Sequence, residues 1–220
     1  MADFSHCRSN MYPELLSIGM NTCIHCGSFG FRSSLLCFHC EEALFRTAFN
    51  RLEFFTEVKC VPCLSLFRWQ RDRNRILNRL SLALKGQQQQ RAWKYYAERF
   101  LEEWLKSEFP GVSAVLVPCP AINGVKDHSY WFAESLSKLT GIPMRTALRR
   151  VDVKEQKRLT RRERQSSIET KFVLSESASE KFSHVYFVDD IITTGTTIQA
   201  AQFHLKKLGH VKAISLIIRE

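Results

Sequence analysis

Residues 185 to 197 read Val185-Tyr-Phe-Val-Asp-Asp-Ile-Ile-Thr-Thr-Gly-Thr-Thr197. The apolar run from Val185 to Val188 predicts a buried parallel strand, the central strand of its sheet, because strands covered on both faces are hydrophobic throughout. Asp189 and Asp190 would then lie at the carboxyl edge of the sheet, where open α/β sheets bind ligands. The amphipathic residues that follow predict a helix over Thr196–Leu208, so the order is strand, turn, helix.

The turn between this strand and this helix has the composition of an anion-binding site. Free backbone N–H groups, threonine hydroxyls and the positive end of the helix dipole all favour a phosphate. Gly195 would let the backbone approach the anion, because glycine has no Cβ and tolerates positive φ. The predicted phosphate ligands are Thr193, Thr194, Gly195, Thr196 and Thr197.

Two carboxylates beside a phosphate site fit a phosphorylated sugar. Asp189 and Asp190 can accept hydrogen bonds from the 2- and 3-hydroxyls of a ribose whose 5-phosphate lies in the turn. In this respect the segment resembles the phosphoribosyl-pyrophosphate loop of type I phosphoribosyltransferases. The alternative is a capped helix after a core strand, with both acids in solvent.

Length and composition place the chain among globular proteins. Its 220 residues are 45% hydrophobic, enough for one main domain with an appendage. No apolar run approaches the roughly 18 residues that a membrane span requires, which predicts that there is no transmembrane segment. The first residues lack a basic segment followed by an apolar one, so we expect a cytoplasmic protein.

Positive charge is concentrated in two stretches. The chain has 32 Lys and Arg against 22 Asp and Glu, a net charge of +10. Nine basic and three acidic residues lie between Arg145 and Arg164, and five arginines lie between Arg68 and Arg79. Such clusters attract nucleic acids or polyphosphorylated ligands. A solvated basic face is the alternative.

Six of the eight cysteines form C-x-x-C pairs, a pattern that favours metal binding in a cytosolic chain. Two of these pairs are close in sequence and can present four thiolates tetrahedrally to a structural Zn²⁺. Their histidines, His25 and His39, are expected to be spectators. The predicted zinc ligands are Cys23, Cys26, Cys37 and Cys40.

The third pair, Cys60 and Cys63, is ambiguous. With Cys7 or Cys119 it could complete a second metal site. It could also exchange with one of the first two pairs, act as a redox-active dithiol, or consist of two partly buried structural thiols.

Hydrophobic periodicity predicts alternating strands and helices in the second half, which indicates an α/β fold with a mostly parallel sheet flanked by helices. Besides the helix after the turn, the pattern predicts helices over Glu41–Phe49, Asp72–Leu84, Arg91–Glu108 and Ser129–Thr140. Besides the strand before the turn, it predicts strands over Val112–Val117, Ile142–Leu148 and Val211–Ile218. We divide the chain into a zinc-binding module, residues 1–66, and a phosphoribosyltransferase-like domain, residues 67–220.

These features together resemble the ComF family, competence-associated proteins that join a cysteine-rich zinc module to a phosphoribosyltransferase domain. The resemblance covers nearly all of the chain from Cys23 onward. It rests on the cysteine pairs, the strand and turn at 188–197, the Leu84-Lys85-Gly86 motif and the strand end Val117-Pro-Cys-Pro120. It also rests on the basic motif of residues 156–164, followed by Phe172.

The resemblance implies a binding site for phosphoribosyl pyrophosphate with Mg²⁺. The turn Pro118 to Ala121 would approach the pyrophosphate, and a flap over residues 156–164 would close on it. The implied pyrophosphate contacts are Lys85, Lys157, Arg161 and Arg164. The chain departs from the family at Lys126 to Trp131, where an arginine-rich stretch is usual, and at Ser167, where asparagine is usual.

The residues leave three functions open. The first is an active phosphoribosyltransferase in nucleotide or related metabolism, in which Asp189 and Asp190 support catalysis. The second, implied by the resemblance, is a role in natural transformation: binding of incoming single-stranded DNA beside a DNA-translocation helicase. The third is a protein-docking zinc module on a scaffold domain.

Overall fold

The computed structural model describes residues 22–29, 33–49, 56–70, 74–85, 89–107, 113–121, 126–151, 172–175 and 179–219. The helices in these ranges are α1 (Phe38–Ala48), α2 (Arg75–Leu84), α3 (Gln90–Ser107), α4 (His128–Thr140) and α5 (Thr196–Leu205). The strands are β1 (Thr56–Val58), β2 (Val61–Trp69), β3 (Ala114–Pro118), β4 (Leu148–Arg150), β5 (Phe172–Leu174), β6 (His184–Ile192) and β7 (His210–Arg219).

Five of these strands form one sheet in the order β1-β2-β7-β6-β3. The β2–β7, β7–β6 and β6–β3 pairs are parallel, and only the edge strand β1 is antiparallel. Strands β4 and β5 form a separate antiparallel ribbon. The predicted α/β fold with a mostly parallel sheet is therefore confirmed.

Apolar residues cover both faces of the sheet, as expected for parallel strands. Along β6, Val185 and Phe187 belong to one buried cluster, whereas Tyr186 and Val188 belong to the other, because successive side chains point to opposite faces. The first cluster contains the apolar face of α5. The second contains the apolar faces of α1, α2, α3 and α4. Its largest fully buried side chain is Trp104, in α3.

The structure corrects three strand predictions. Strand β6 does not end at Val188 but continues through both aspartates to Ile192, and β7, not β6, is the middle strand of the five. The strand predicted over Ile142–Leu148 is wrong. There only Met144 bridges to β3, while the strand that follows begins at Leu148. Pro143, which lacks a backbone N–H, limits regular pairing in this segment.

Strand β2 is the one long strand of the described sheet that the sequence analysis did not predict. It follows the third cysteine pair and runs parallel to β7, from Cys63 opposite Ala213 to Trp69 opposite Arg219. The division of the chain at residue 66 falls within this strand and remains a prediction.

The cysteine-rich segment is joined to the rest of the fold by hydrogen bonds and by a shared hydrophobic cluster. Arg79 of α2 donates a hydrogen bond to the backbone oxygen of His25 at 2.7 Å. The Tyr96 hydroxyl of α3 donates to the backbone oxygen of Ser34 at 2.9 Å. Buried Glu41 of α1 accepts hydrogen bonds from Ser34 Oγ and from the Tyr95 hydroxyl. In addition, Cys23 and Cys40 pack in the hydrophobic cluster that covers one face of the sheet.

Candidate functional site

The four predicted zinc ligands meet in space. The Sγ atoms of Cys23, Cys26, Cys37 and Cys40 all lie within 4.8 Å of one another. Four thiolates at such separations are the donor set that a structural Zn²⁺ prefers. Hydrogen bonding to Ser28 lowers the pKa of Cys26 to about 6, whereas burial raises the pKa of Cys40, so the four thiols differ in how readily they ionise without a metal.

The two histidines that lie within the C-x-x-C pairs, His25 and His39, are not part of the four-cysteine cluster. His25 Nδ1 lies 3.3 Å from Cys40 Sγ, a hydrogen-bonding contact to a ligand atom. Such contacts around a metal site orient its ligands without binding the ion. Within the described residues the only group of three or more metal-ligating side chains consists of the four cysteines.

The third cysteine pair does not join the four-cysteine cluster. Cys60 is exposed in the turn between β1 and β2, whereas Cys63 lies in β2 and is buried. Burial raises the pKa of Cys63 to about 12, and it also raises the pKa of buried Cys119. The buried thiols of Cys63 and Cys119 are therefore protonated at neutral pH. Cys7 lies outside the described residues.

The β6–α5 turn presents an open helix N-terminus. Gly195 is the N-cap residue, no side chain caps the helix, and its first turn contains no acidic residue. The first N–H groups of a helix have no intrahelical acceptor, so they are available to a ligand together with the positive end of the dipole. Thr193 and Thr194 are exposed beside them, and the Thr194 and Thr196 hydroxyl oxygens lie 2.5 Å apart.

The structure shows the positive φ expected at Gly195 and adds a packing contact that was not expected. Its φ is +73°, and a Cβ added at this position would lie 2.4 Å from Val58 Cγ1 and 3.0 Å from Lys59 Cγ. Only glycine satisfies both conditions without strain. The glycine therefore allows the turn between β1 and β2 to pack on the β6–α5 turn, and this contact was not foreseen from the sequence.

The two aspartates are unequal. Asp189 is buried, and its Oδ1 accepts hydrogen bonds from Ser129 Oγ at 3.0 Å and from the Asp190 N–H at 3.0 Å. Burial, followed by the neighbouring Asp190 carboxyl, raises the pKa of Asp189 to about 8. Asp190 is half-buried and faces Lys85, whose Nζ lies 3.6 Å from Asp190 Oδ2. The structure thus brings Lys85, a predicted site residue, to the carboxylates.

The start of α4 adds residues that the sequence analysis did not assign to the site. Ser129, next to the first residue of α4, is the partner of Asp189. Asp127, the N-cap of α4, has a pKa raised chiefly by burial and also by Asp190, which places a third carboxyl at the same edge. Neither residue carries a motif, so only the fold reveals them. Lys126 lies 4.5 Å from the centre of the Tyr130 ring.

The turn after β3 carries another cation. Arg150 of β4 donates from Nε to the Pro120 oxygen at 2.6 Å, and its Nη2 lies 3.7 Å from Cys119 Sγ. The Cys119 N–H donates to the Val188 oxygen at 2.8 Å, which holds this turn beside the part of β6 that precedes the two aspartates. Arg150 belonged to the basic stretch in the sequence but was not singled out there.

The remaining predicted contacts cannot be placed. Lys157, Arg161 and Arg164, together with the predicted flap, lie outside the described residues, as does Gly86. No helix in the part of the chain that the structure describes is both long and apolar enough to cross a membrane.

Comparisons with known proteins give only distant structural similarity. No protein-family model and no curated protein matches the chain. The adenine phosphoribosyltransferase of Leishmania tarentolae is similar over 58% of this chain and 70% of its own, at 16% identity and a TM-score of 0.35. That of Leishmania donovani is similar over 81% and 79%, at 13% identity and a TM-score of 0.39. Similarity at these identities and TM-scores does not show that the chain shares the activity of those proteins.

Proposed function

We propose that this protein binds a ribose 5-phosphate group, and that its full ligand is phosphoribosyl pyrophosphate. One observation carries the proposal: the end of β6 brings two aspartates, the open N-terminus of α5 and Lys85 to one edge of the sheet. Carboxylates suit sugar hydroxyls, and a helix N-terminus suits a phosphate. A site with both is suited to a phosphorylated sugar.

The proposed roles follow from exposure and charge. Asp190 is half-buried at the edge of the sheet and accepts a ribose hydroxyl directly, while Asp189, buried beneath it, hydrogen-bonds the second hydroxyl and orients its neighbour through the Asp190 N–H. Residues Thr193 to Thr197 hold the 5-phosphate. Lys85 and Arg150 contribute positive charge on the side expected for pyrophosphate, a role that Lys157, Arg161 and Arg164 share in this proposal.

The reaction class that fits this ligand is phosphoribosyl transfer. The bond between C1 of the ribose and the pyrophosphate oxygen breaks, pyrophosphate leaves with the electron pair, and an acceptor forms the new bond to C1. The Asp190 carboxylate stabilises the positive charge that develops on the ribosyl group, and fixed cations stabilise the leaving pyrophosphate. Mg²⁺, which prefers oxygen ligands such as carboxylates, would supply further charge neutralisation.

Calorimetric titration tests the ligand. Phosphoribosyl pyrophosphate with Mg²⁺ should bind the wild-type protein with micromolar affinity. Asp190→Asn should weaken that binding at least about tenfold, since a hydrogen bond to a charged group contributes about 1.5–3 kcal/mol. Glu98→Gln, on the outer surface of α3, is the matched control and should bind normally. Equal affinity in wild type and Asp190→Asn would refute the proposed site.

A second part of the proposal concerns biological context. We propose membership of the ComF family and a cytoplasmic role in natural transformation, with single-stranded DNA and a DNA-translocation helicase as partners. The net charge of +10 and the combination of a four-cysteine cluster with a sugar-phosphate site support it. The alternative is a phosphoribosyltransferase of nucleotide or related metabolism with no DNA role.

Salt dependence separates these two contexts. Binding of labelled single-stranded DNA through several phosphates should weaken steeply between low and physiological salt, because counterions are released. Fluorescence anisotropy over a salt series measures this slope. An absence of DNA binding at low salt, together with turnover of phosphoribosyl pyrophosphate by an acceptor, would favour the metabolic alternative.

A further inference from the structure

The turn between β1 and β2 lies against the proposed phosphate site. Val58 pairs with Val61, so Lys59 and Cys60 form a two-residue hairpin turn. The side chains of Val58 and Lys59 approach Gly195 closely enough that a Cβ there would meet both. The hairpin therefore forms a wall of the β6–α5 turn, and Lys59 is the charged residue of its two-residue turn.

The backbone of this hairpin turn favours residues other than those present. Lys59 and Cys60 have φ values of +53° and +62°, and they are two of the three described non-glycine residues with positive φ. Hairpin turns with positive φ at both central positions favour Asn and Gly. A lysine at the first position is thus not explained by the conformation that the turn requires.

The charge of Lys59 is not neutralised by any carboxylate among the described residues. Within the described residues no ion pair joins Lys59 to a carboxylate, whereas Lys85, the other lysine at this edge, pairs with Asp190. The stem of Lys59 runs along Gly195, the N-cap of α5, and its side chain is exposed. Among the described residues no carboxylate competes for its ammonium group, which can therefore reach a phosphate bound at the helix N-terminus.

We propose that Lys59 is a phosphate-binding residue, which closes over the 5-phosphate from the hairpin side while the β6–α5 turn binds it through backbone N–H groups. The inference rests on the function proposed above. It makes the site selective for ribose 5-phosphate over ribose. It also means that the phosphate site is completed by a hairpin distant in sequence from the motif that predicts it.

The test compares Lys59→Asn, which removes the charge but suits the turn, with Lys59→Arg, which keeps the charge. Calorimetry should show wild-type protein binding ribose 5-phosphate more tightly than ribose. Lys59→Asn should weaken ribose 5-phosphate binding about tenfold or more and leave ribose binding unchanged, because a charge-assisted contact to phosphate is lost. Lys59→Arg should stay within about threefold of wild type.

Three controls make the outcomes distinct. Lys94→Asn removes the same charge from the surface of α3 and should bind ribose 5-phosphate like the wild type. Thermal unfolding of Lys59→Asn should be unchanged or slightly higher, which excludes a folding defect. If the wild type binds ribose 5-phosphate and Lys59→Asn binds it equally well, the inference is wrong and the proposed function stands. If the wild type binds neither ribose 5-phosphate nor phosphoribosyl pyrophosphate, both fail.

Discussion

The four-cysteine cluster and the proposed ribose-phosphate site differ in how far apart in the sequence their residues lie. Four cysteines between positions 23 and 40 form the cluster almost by themselves. The second site takes Asp189, Asp190 and the β6–α5 turn from one motif, but Lys85 and Ser129 from α2 and α4. A local motif can therefore specify a four-cysteine cluster nearly completely, whereas the motif of the proposed sugar-phosphate site specifies only the centre of that site.

The largest effect on stability should come from disrupting the four-cysteine cluster. Cys37→Ser removes one thiolate of the predicted zinc site, and the cysteine-rich segment should then lose both zinc binding and its fold, since small metal-bound modules gain their stability from the ion. We expect zinc content to fall from one ion per chain to near zero and the unfolding free energy to fall by several kcal/mol. Cys60→Ser, at an exposed cysteine outside the cluster, should change neither quantity. Atomic absorption and urea unfolding measure both.

The next effect tests how the second site is assembled. Gly195→Ala introduces a Cβ at positive φ and against Val58, and should cost about 2–4 kcal/mol of stability and most of the ligand affinity. Gly141→Ala is the matched control, because Gly141 has φ of +74° with nothing within 4 Å of the added Cβ. It should cost only about 1 kcal/mol. Equal losses in urea unfolding would show that the hairpin contact is unimportant.

The buried carboxyl of the second site should appear in the pH dependence of stability. The folded pKa of Asp189 is raised to about 8, while an unfolded aspartate titrates near about 3.9. The unfolded chain then releases this proton first. The unfolding free energy should therefore fall as pH rises from about 4 to about 8 and level off above that window. Asp189→Asn should flatten this slope, which urea titrations at a series of pH values measure.

Ser129→Ala sharpens the same experiment. The Ser129 hydrogen bond lowers the Asp189 pKa, so its loss should move the upper end of the sloping window to higher pH. Stability should fall by about 1 kcal/mol, the net contribution of one hydrogen bond. A window that does not move would show that Ser129 does not act on Asp189.

The smallest effect on stability is expected at Lys85. Its ion pair with Asp190 is partly exposed, with 45% of the lysine side chain accessible, so Lys85→Met should change stability by less than about 1 kcal/mol. Affinity for phosphoribosyl pyrophosphate should nevertheless fall several-fold if Lys85 moves to the pyrophosphate. Unchanged affinity would make this lysine a structural partner of Asp190 only.

Most regular elements were predictable because their hydrophobic periods are clear. The helix predicted over Ser129–Thr140 appears as α4, His128–Thr140, with Gly141 at its C-cap. Strand β2 was not predicted, because the cysteine pair and the proline at its start suggested a metal-binding or redox segment and obscured a buried strand. The strand predicted over Ile142–Leu148 was wrong, because apolar character alone does not supply a partner strand.

The sequence by itself determined the cysteine cluster, the alternation of strands and helices, and the strand-turn-helix motif around Asp189 and Gly195. These features depend on residues close together in the chain, where spacing is nearly equivalent to geometry. Only the tertiary structure decided that Asp189 is buried against Ser129, that Asp190 faces Lys85 and that Lys59 lies over Gly195. Each of these contacts joins segments about 60 to 140 residues apart, and their proximity is set by sheet order and helix packing, which local patterns do not encode.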